Sequence, residues 1–419
     1  MKKILFLVVI LISSNIYSQM LHSNIFTNIY SFPASDSTVQ FFYLYKIPVK
    51  SLIFSKNNDS FSAEVQITLE LSDSNSNFLQ RHSEYRDITY DDFSLTSDPN
   101  TFIEGIISFP FENRTIVFTS SFVDANSQKE IFTKEQILQK ASSEETEFLT
   151  PILLSDKELK CGENNSRVIP NFGEFIPFEN NSYDILIPCK DTSFKKVFVQ
   201  VISQKDTVFN GVIEQKNIGR ISFAECEGKI VLTDDTVSTP INNFYLNQLT
   251  PKLKEGPVEI IISQSENFLN KKTFRPIVKW FNKPKSLNDP ESAVRLIRFI
   301  VNEDSMIKIL KGSNNNTVVL NQYWKKKDPS PDTEYNELMA EYYERIDYSR
   351  KNFSTIAGLN GIESNRARIY IIYGKPTSIE RGSNGDGKVS ETWTYSKLQK
   401  KFIFVDEKGM GEFILKSSP

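Results

Sequence analysis

The chain has 419 residues, which is enough for two to four domains of ordinary size. Aromatic residues make up 12% of it, and this supply of core-forming side chains excludes a disordered composition. The formal net charge is only −3 and acidic and basic residues are interspersed, which argues against a nucleic-acid-binding protein with a basic surface.

The first eighteen residues carry the pattern of a secretory signal peptide. Lys2 and Lys3 are basic, residues 4–12 form an unbroken apolar run, and small polar residues follow up to Ser18. The apolar run is shorter than the roughly 20 residues that a membrane-spanning helix needs. Because the chain ends at Pro419, soon after the last predicted strand, we expect no further sorting domain. We therefore expect an exported, periplasmic protein without a transmembrane segment in the mature chain, and association with the outer membrane stays open.

Two stretches of β pattern follow the signal peptide. In residues 62–71 the apolar side chains alternate with polar ones, which is the period of a half-buried strand, and strand-like runs recur at 102–109 and 115–123. Further runs lie at 183–187, 196–201, 228–232 and 258–262. Short strands at such spacing predict two all-β domains of the immunoglobulin-like sandwich type, over residues 19–147 and 148–265. A linker over 266–286 is predicted to follow.

Residues 287–419 are predicted to form an α+β domain with a small antiparallel sheet. Asp289 before Pro290 has the residue types of a helix N-cap and first helical position. Thr333 is predicted to cap a second, amphipathic helix that continues to about Phe353. Strands are predicted at 368–373, about 389–395, 401–406 and 411–416, with turn signals between them.

This C-terminal third resembles the GWxTD domain family of exported proteins from Bacteroidota and related bacteria, over roughly residues 277–417. The resemblance rests on three segments, which are Tyr323-Trp324 with Asp328-Pro329-Ser330-Pro331, then residues 361–376, and finally Trp393-Thr394-Tyr395 with residues 402–411. The chain departs from the namesake motif, because Ile362, Ser364 and Asn365 stand where the family has tryptophan, threonine and aspartate. The resemblance implies an exported protein and brings with it no established reaction.

The chain contains three cysteines, Cys161, Cys189 and Cys226. In an oxidising compartment one disulfide can form among them, and the predicted positions near strand ends favour Cys189 with Cys226. Buried or incidental thiols are the alternative. No histidine lies near them, so we expect no metal site there, and no cofactor is predicted.

The residues singled out as binding candidates all lie in the C-terminal module. Arg366 and Arg368 alternate along the predicted strand, so we expect them on one face, where a salt bridge is favoured over an anionic ligand. Trp393 and Tyr395 also share a face, where core packing is favoured over a platform for carbohydrate stacking. The full set of candidates is Trp324, Glu337, Glu341, Arg366, Arg368, Trp393 and Tyr395.

A hydrolytic site has little support in the sequence. The histidines are His22, three residues past the predicted mature N-terminus, and His82, in a polar turn region, which argues against a Ser-His-Asp arrangement. Carboxylates recur along the second helix at Glu337, Glu341, Glu344 and Asp347, where a solvated helix face is favoured over a catalytic pair.

The leading hypothesis is a non-enzymatic interaction protein of the periplasm or cell envelope, with an envelope protein or a glycan as its partner. One alternative is an envelope hydrolase or carbohydrate-processing enzyme that uses the C-terminal carboxylates. This alternative predicts that Glu337, Glu341, Glu363, Arg366 and Arg368 converge in one pocket. The other alternative is a glycan-binding module, which requires that Trp393 and Tyr395 are exposed.

Overall fold

The structure is a computed structural model that describes residues 25–133, 136–138, 147–234, 238–311, 313–355 and 360–417. The predicted signal peptide lies outside the described residues. Strands account for 47% and helices for 19%, so the protein is mostly β, with several sheets and an α+β region at the C-terminal end.

In the described residues of the first unit there are nine strands and one short α-helix, α1 (Phe93–Thr96). Its strands are β1 (Phe26–Pro33), β2 (Thr38–Pro48), β3 (Ser55–Asn57), β4 (Ser60–Ser72), β5 (Phe78–Tyr90), β6 (Phe102–Glu112), β7 (Ile116–Asp124), β8 (Lys129–Phe132) and β9 (Gln136–Leu138). They form one sheet in the order β1-β2-β6 and a second in the order β3-β4-β7-β8, with β5 paired to β4 and β9 to β7. The alternation predicted for 62–71 is confirmed, because alternate residues of β4 are buried between the two sheets.

The second unit has thirteen strands. They are β10 (Ile152–Ser155), β11 (Glu158–Cys161), β12 (Asn164–Arg167), β13 (Phe175–Pro177), β14 (Tyr183–Cys189), β15 (Lys196–Ser203), β16 (Asp206–Gly219), β17 (Ser222–Cys226), β18 (Lys229–Thr233), β19 (Ile241–Leu246), β20 (Gly256–Ser263), β21 (Lys271–Phe274) and β22 (Ile277–Lys279). Nine of them form one sheet, β10-β14-β19-β16-β15-β20-β22-β13 with β21 on β20, while β11-β12 and β17-β18 are two-stranded ribbons. The strands β21 and β22 fall within the predicted linker 266–286 and belong to this sheet.

The β1-β2-β6 sheet is covered on both faces. One face of β2 contributes Phe41 and Tyr43 to the core of the first unit. The other face contributes Phe42 and Leu44 to a separate core that it shares with residues of β10, β14 and β17 from the second unit. Burial on both sides explains why β2 reads as an almost continuous apolar run rather than as an alternating one. The same geometry brings Lys46, two residues beyond Leu44, into the junction between the two units.

The C-terminal region combines five α-helices with a four-stranded antiparallel sheet among the residues that the structure describes. Its elements are α2 (Pro290–Leu296), α3 (Glu303–Lys311), α4 (Asn316–Lys325), α5 (Glu337–Asn352), α6 (Asn365–Tyr373), β23 (Ser378–Ser383), β24 (Val389–Tyr395), β25 (Lys400–Asp406) and β26 (Phe413–Ser417). The sheet order is β23-β24-β25-β26. The predicted strands near 389–395, 401–406 and 411–416 are therefore confirmed, and so is the Asp289 cap, whose carboxylate accepts the amides of Glu291 and Ser292.

Two local predictions in this region are wrong. The cap of α5 is Asn336, whose side chain accepts the amide of Met339 at 2.8 Å, while the Thr333 hydroxyl lies 2.9 Å from the carbonyl oxygens of Ser330 and Tyr335. The strand predicted at 368–373 is the helix α6. Ser364 caps it and Gly374, with a φ of 77°, ends it. The β-branched and aromatic residues of this segment favour a strand locally, but packing against α5 and the sheet decides its conformation.

The predicted Cys189–Cys226 disulfide is also wrong. The disulfide joins Cys161 at the end of β11 to Cys226 at the end of β17, with their Cα atoms 6.0 Å apart. Both cysteines lie at the hairpin turns of two-stranded ribbons that the fold brings side by side. Cys189 is buried at the end of β14, where burial raises the pKa of its thiol to about 12.

Candidate functional site

The three aromatic candidates are core residues. The side chains of Trp393 and Tyr395 are only 1% and 4% exposed, and Trp324 is also buried. Their polar atoms are satisfied internally, because the Trp393 indole donates to the Glu391 carboxylate at 3.2 Å and the Tyr395 hydroxyl donates to the Gly374 carbonyl at 2.8 Å. The exposure that the glycan-binding hypothesis required of Trp393 and Tyr395 is therefore not met.

Arg366 and Arg368 point in different directions, because they are two residues apart on a helix and so about 200° apart around its axis. Arg366 faces the sheet, with Nη1 3.4 Å from Glu391 Oε2 and its guanidinium 4.2 Å from the centre of the Phe413 ring. Burial lowers the pKa of Arg366, and the nearby Glu391 carboxylate opposes this shift. The expectation that the two arginines share a face is wrong, and Arg366 is half of a buried ion pair.

The carboxylate candidates are dispersed over the domain. Glu337 accepts a hydrogen bond from the Ser330 hydroxyl at 2.6 Å. Glu341 pairs with Arg345 one turn along α5, and Glu363 pairs with Arg298. The five residues that the hydrolase hypothesis places in one pocket therefore do not converge, and only Glu363 and Arg368 line the same concavity.

That concavity is a groove of about 710 Å³, which we call the motif groove. One wall is the segment 298–302 after α2, and the other is the segment 362–365 with the outer face of α6. Ile300 and Ile372 are 38% and 43% exposed in it. Arg368 projects from α6 and forms no salt bridge within the part of the chain that the structure describes. The groove thus combines exposed apolar side chains with a free positive charge.

The segment 361–365 forms this wall for identifiable physical reasons. A Cβ atom at Gly361 would lie 2.4 Å from the Ser349 carbonyl oxygen, so only glycine allows this approach to the end of α5. Ile362 is buried in the core. The Ser364 hydroxyl accepts the Ala367 amide at 3.1 Å, as an N-cap does, and donates to the Gly361 carbonyl.

Sequence reasoning identified Arg368 and Glu363 but missed Arg298, Ile300 and Ile372, which complete the groove. The sequence did not indicate Ile372 as a groove residue, because the strand prediction for 368–373 placed it in a sheet and not on the outward face of a helix. The segment 298–302 comes from the end of a different helix about sixty residues earlier, and only the tertiary packing brings it here.

Comparison with known protein families gives a match to the C-terminal region that contains the motif groove. A family model described as the GWxTD domain matches residues 262–414. No curated protein matches the chain. Among the described residues, no helix combines the length and the apolar character needed to cross a membrane.

Proposed function

We propose that this chain, whose residues 262–414 form a GWxTD domain, is a non-enzymatic interaction protein of the periplasm or cell envelope, and that the motif groove is its contact surface. The observation that carries the proposal is the groove itself, since it exposes Ile300 and Ile372 beside an unpaired arginine at the segment that gives the family its name. Exposed apolar side chains rimmed by polar ones are typical of interaction sites. The basic, apolar and polar pattern of residues 1–18 supports export.

The chemistry of the groove indicates the kind of partner. Two arginines and one glutamate line it, and the Arg298–Glu363 pair neutralises one arginine, which leaves Arg368 as an uncompensated positive charge. An extended segment of an envelope protein, with an apolar side chain for Ile300 and Ile372 and a carboxylate for Arg368, fits this arrangement.

We also propose that the two N-terminal β units are immunoglobulin-like sandwiches. The hydrophobic core of each unit, and strand pairing that is antiparallel except between β13 and β22, support this assignment. The envelope-hydrolase alternative is less well supported, because Glu337 and Glu341 on α5 take part in a separate hydrogen bond and a separate ion pair.

The test is site-specific cross-linking in the native envelope. A photo-reactive residue is placed at position 372 or, as a control in the same domain, at position 398, which is 51% exposed and outside the groove. We expect one stoichiometric protein cross-linked from position 372 only, through a peptide that contains an acidic residue. Arg368→Glu should reduce its recovery at least tenfold, while Lys401→Glu, an exposed charge reversal on β25, should not.

Equal cross-linking from both positions, or recovery that is indifferent to Arg368→Glu, would contradict the proposal. Retention of peptidoglycan or glycan fragments without a protein partner would instead support the carbohydrate alternatives.

A further inference from the structure

A second concavity lies at the junction of the two β units and is also lined by Phe281 and Asn282, which follow β22. This cleft, which we call the inter-unit cleft, has a volume of about 420 Å³. Its floor is the pair of residues Lys46 on β2 and Glu104 on β6, which are directly opposite in the antiparallel register. The second unit contributes the opposing wall, including Phe172, Glu179 and Lys229. None of these residues was singled out from the sequence.

The buried charged groups at the floor differ in how many hydrogen-bond partners they have. Lys46 and Glu104 are only 5% and 3% exposed. Lys46 Nζ donates to the Pro170 carbonyl at 2.7 Å and lies 3.4 Å from Glu104 Oε1, and Lys229 Nζ lies 3.0 Å from that same oxygen. The other oxygen, Glu104 Oε2, has no hydrogen-bond partner among the described residues, although it is buried and its residue lines the cleft. A buried carboxylate oxygen without a donor is costly, so a donor supplied by a ligand would be bound favourably.

Aromatic rings form the rest of the inner wall. Phe172 and Phe281 stack with ring centroids 4.5 Å apart, and Phe26 meets both rings edge-on at 5.1 Å. The Lys46 ammonium lies 3.7 Å from the centre of the Phe172 ring. A concave site that combines aromatic walls with a few convergent polar groups, in this size range, is the usual form of a small-ligand pocket.

The charges around the cleft narrow the ligand class. Four lysines (Lys46, Lys50, Lys157, Lys229) and two glutamates (Glu104, Glu179) line it. A simple cation is disfavoured because the excess of lysines would repel it. A simple anion is disfavoured because Glu104 at the floor would repel it. A ligand that fits must donate hydroxyl hydrogens to Glu104 Oε2, present an apolar face to the phenylalanines and carry negative charge toward the exposed Lys50 and Lys157.

We propose that the inter-unit cleft binds an acidic saccharide, with a sugar hydroxyl donating to Glu104 Oε2, an apolar sugar face against the edges of the Phe172 and Phe281 rings, and the acidic group at the lysine-lined mouth. The proposal does not depend on the motif groove, and it places carbohydrate binding at the junction of the β units instead of at Trp393 and Tyr395.

The test is a binding screen of the purified full mature protein against acidic, neutral and amino oligosaccharides by saturation-transfer NMR, followed by titration calorimetry with the best binder. We expect acidic saccharides to bind more tightly than their neutral counterparts. Lys229→Met should weaken this binding at least tenfold by removing a positive charge from the cleft, while the buried Glu104 carboxylate keeps Lys46 as its partner. Lys254→Met, which removes a lysine of similar exposure from the surface pair with Asp206, is the matched control and should bind as the wild type does.

Glu104→Gln should weaken binding further, and Phe281→Leu, at a half-buried wall position, provides a second variant in case the buried substitution impairs folding. The absence of binding by every saccharide class at millimolar concentration would overturn the proposal. Binding that Lys229→Met and Phe281→Leu both leave unchanged would also overturn it, by placing the saccharide elsewhere.

Discussion

The buried lysine at the junction of the β units leads to a prediction with a definite sign. Burial lowers the pKa of Lys46 to about 8 from the ordinary 10.5, while the Glu104 carboxylate partly offsets this effect. Between these two values the unfolded chain binds a proton that the folded chain does not. The free energy of unfolding therefore rises with pH across this window. The lowering of the Lys46 pKa from 10.5 to about 8 corresponds to about 3.4 kcal/mol, at about 1.4 kcal/mol for a tenfold change in the proton-binding constant.

The perturbation that isolates this effect is Lys46→Met, which removes the titrating group and keeps much of the side-chain volume. The absolute stability of the variant is not the test, since the substitution also removes the hydrogen bond to Pro170 and one partner of Glu104. The test is how the difference in the free energy of unfolding between the wild type and Lys46→Met changes with pH. From pH 7 to pH 10 we expect the wild type to gain about 2 to 3 kcal/mol relative to Lys46→Met.

The assay is urea unfolding at pH 7, 8, 9 and 10, followed by the near-ultraviolet signal of the aromatic residues around the junction. Lys254→Met is the control, because hydrogen bonding to Asp206 raises the pKa of that exposed lysine. Its contribution to stability is fully present below the unfolded pKa of 10.5, so the free energy of unfolding of the wild type minus that of Lys254→Met should stay almost constant from pH 7 to pH 10. The reasoning about burial would be refuted if the free energy of unfolding of the wild type, minus that of Lys46→Met, stayed constant or fell between pH 7 and 10.

Three further predictions concern stability. Arg366→Ala should lower the free energy of unfolding by about 3 kcal/mol in a denaturant titration, because the buried Glu391 carboxylate then keeps only the more exposed Arg381 as an ion-pair partner. In the same titration, Arg368→Ala should change the free energy of unfolding by less than about 0.5 kcal/mol. Cys226→Ser should lower the free energy of unfolding by about 4 kcal/mol under oxidising conditions, because the disulfide closes a loop of 65 residues in the unfolded chain. In excess reductant the substitution should have no effect, and an equal loss of stability under both conditions would contradict this entropic explanation. Gly361→Ala should lower the melting temperature by an amount equivalent to about 1 to 3 kcal/mol, since its Cβ would collide with backbone atoms, while Gly382→Ala, with open space around it, should leave the melting temperature unchanged.

The features that were predicted correctly are those in which a local pattern reports one-sided burial or a capping interaction. The alternation in β4 required only that one face be buried, and Asp289 followed by Pro290 satisfies the first turn of a helix with neighbouring atoms. The motifs of the C-terminal third likewise indicated a family that a match over 262–414 bears out. None of these inferences needed knowledge of which element packs against which.

The candidate site was predicted less well, because the conformation of one segment controls it. Residues 368–373 have the composition of a strand, and that reading placed Arg366 and Arg368 together. As the helix α6, the same residues send Arg366 to the buried Glu391 and Arg368 to the motif groove. The difference in energy between the two conformations of so short a segment is small beside the burial of Ala367 and Ile371 against α5 and the sheet, so tertiary packing decided it.

The sequence by itself determined the β-rich composition, the alternating strands, the start of α2 and the family of the C-terminal domain. All of these follow from interactions between residues close in the chain or from the burial of one face. Only the tertiary structure decided that Cys161 pairs with Cys226, that α6 is a helix, and that Lys46 and Glu104 share a buried cleft with Lys229 from more than a hundred residues away. These features depend on which faces meet. A periodic pattern records that a face is buried but carries no information about the partner that covers it.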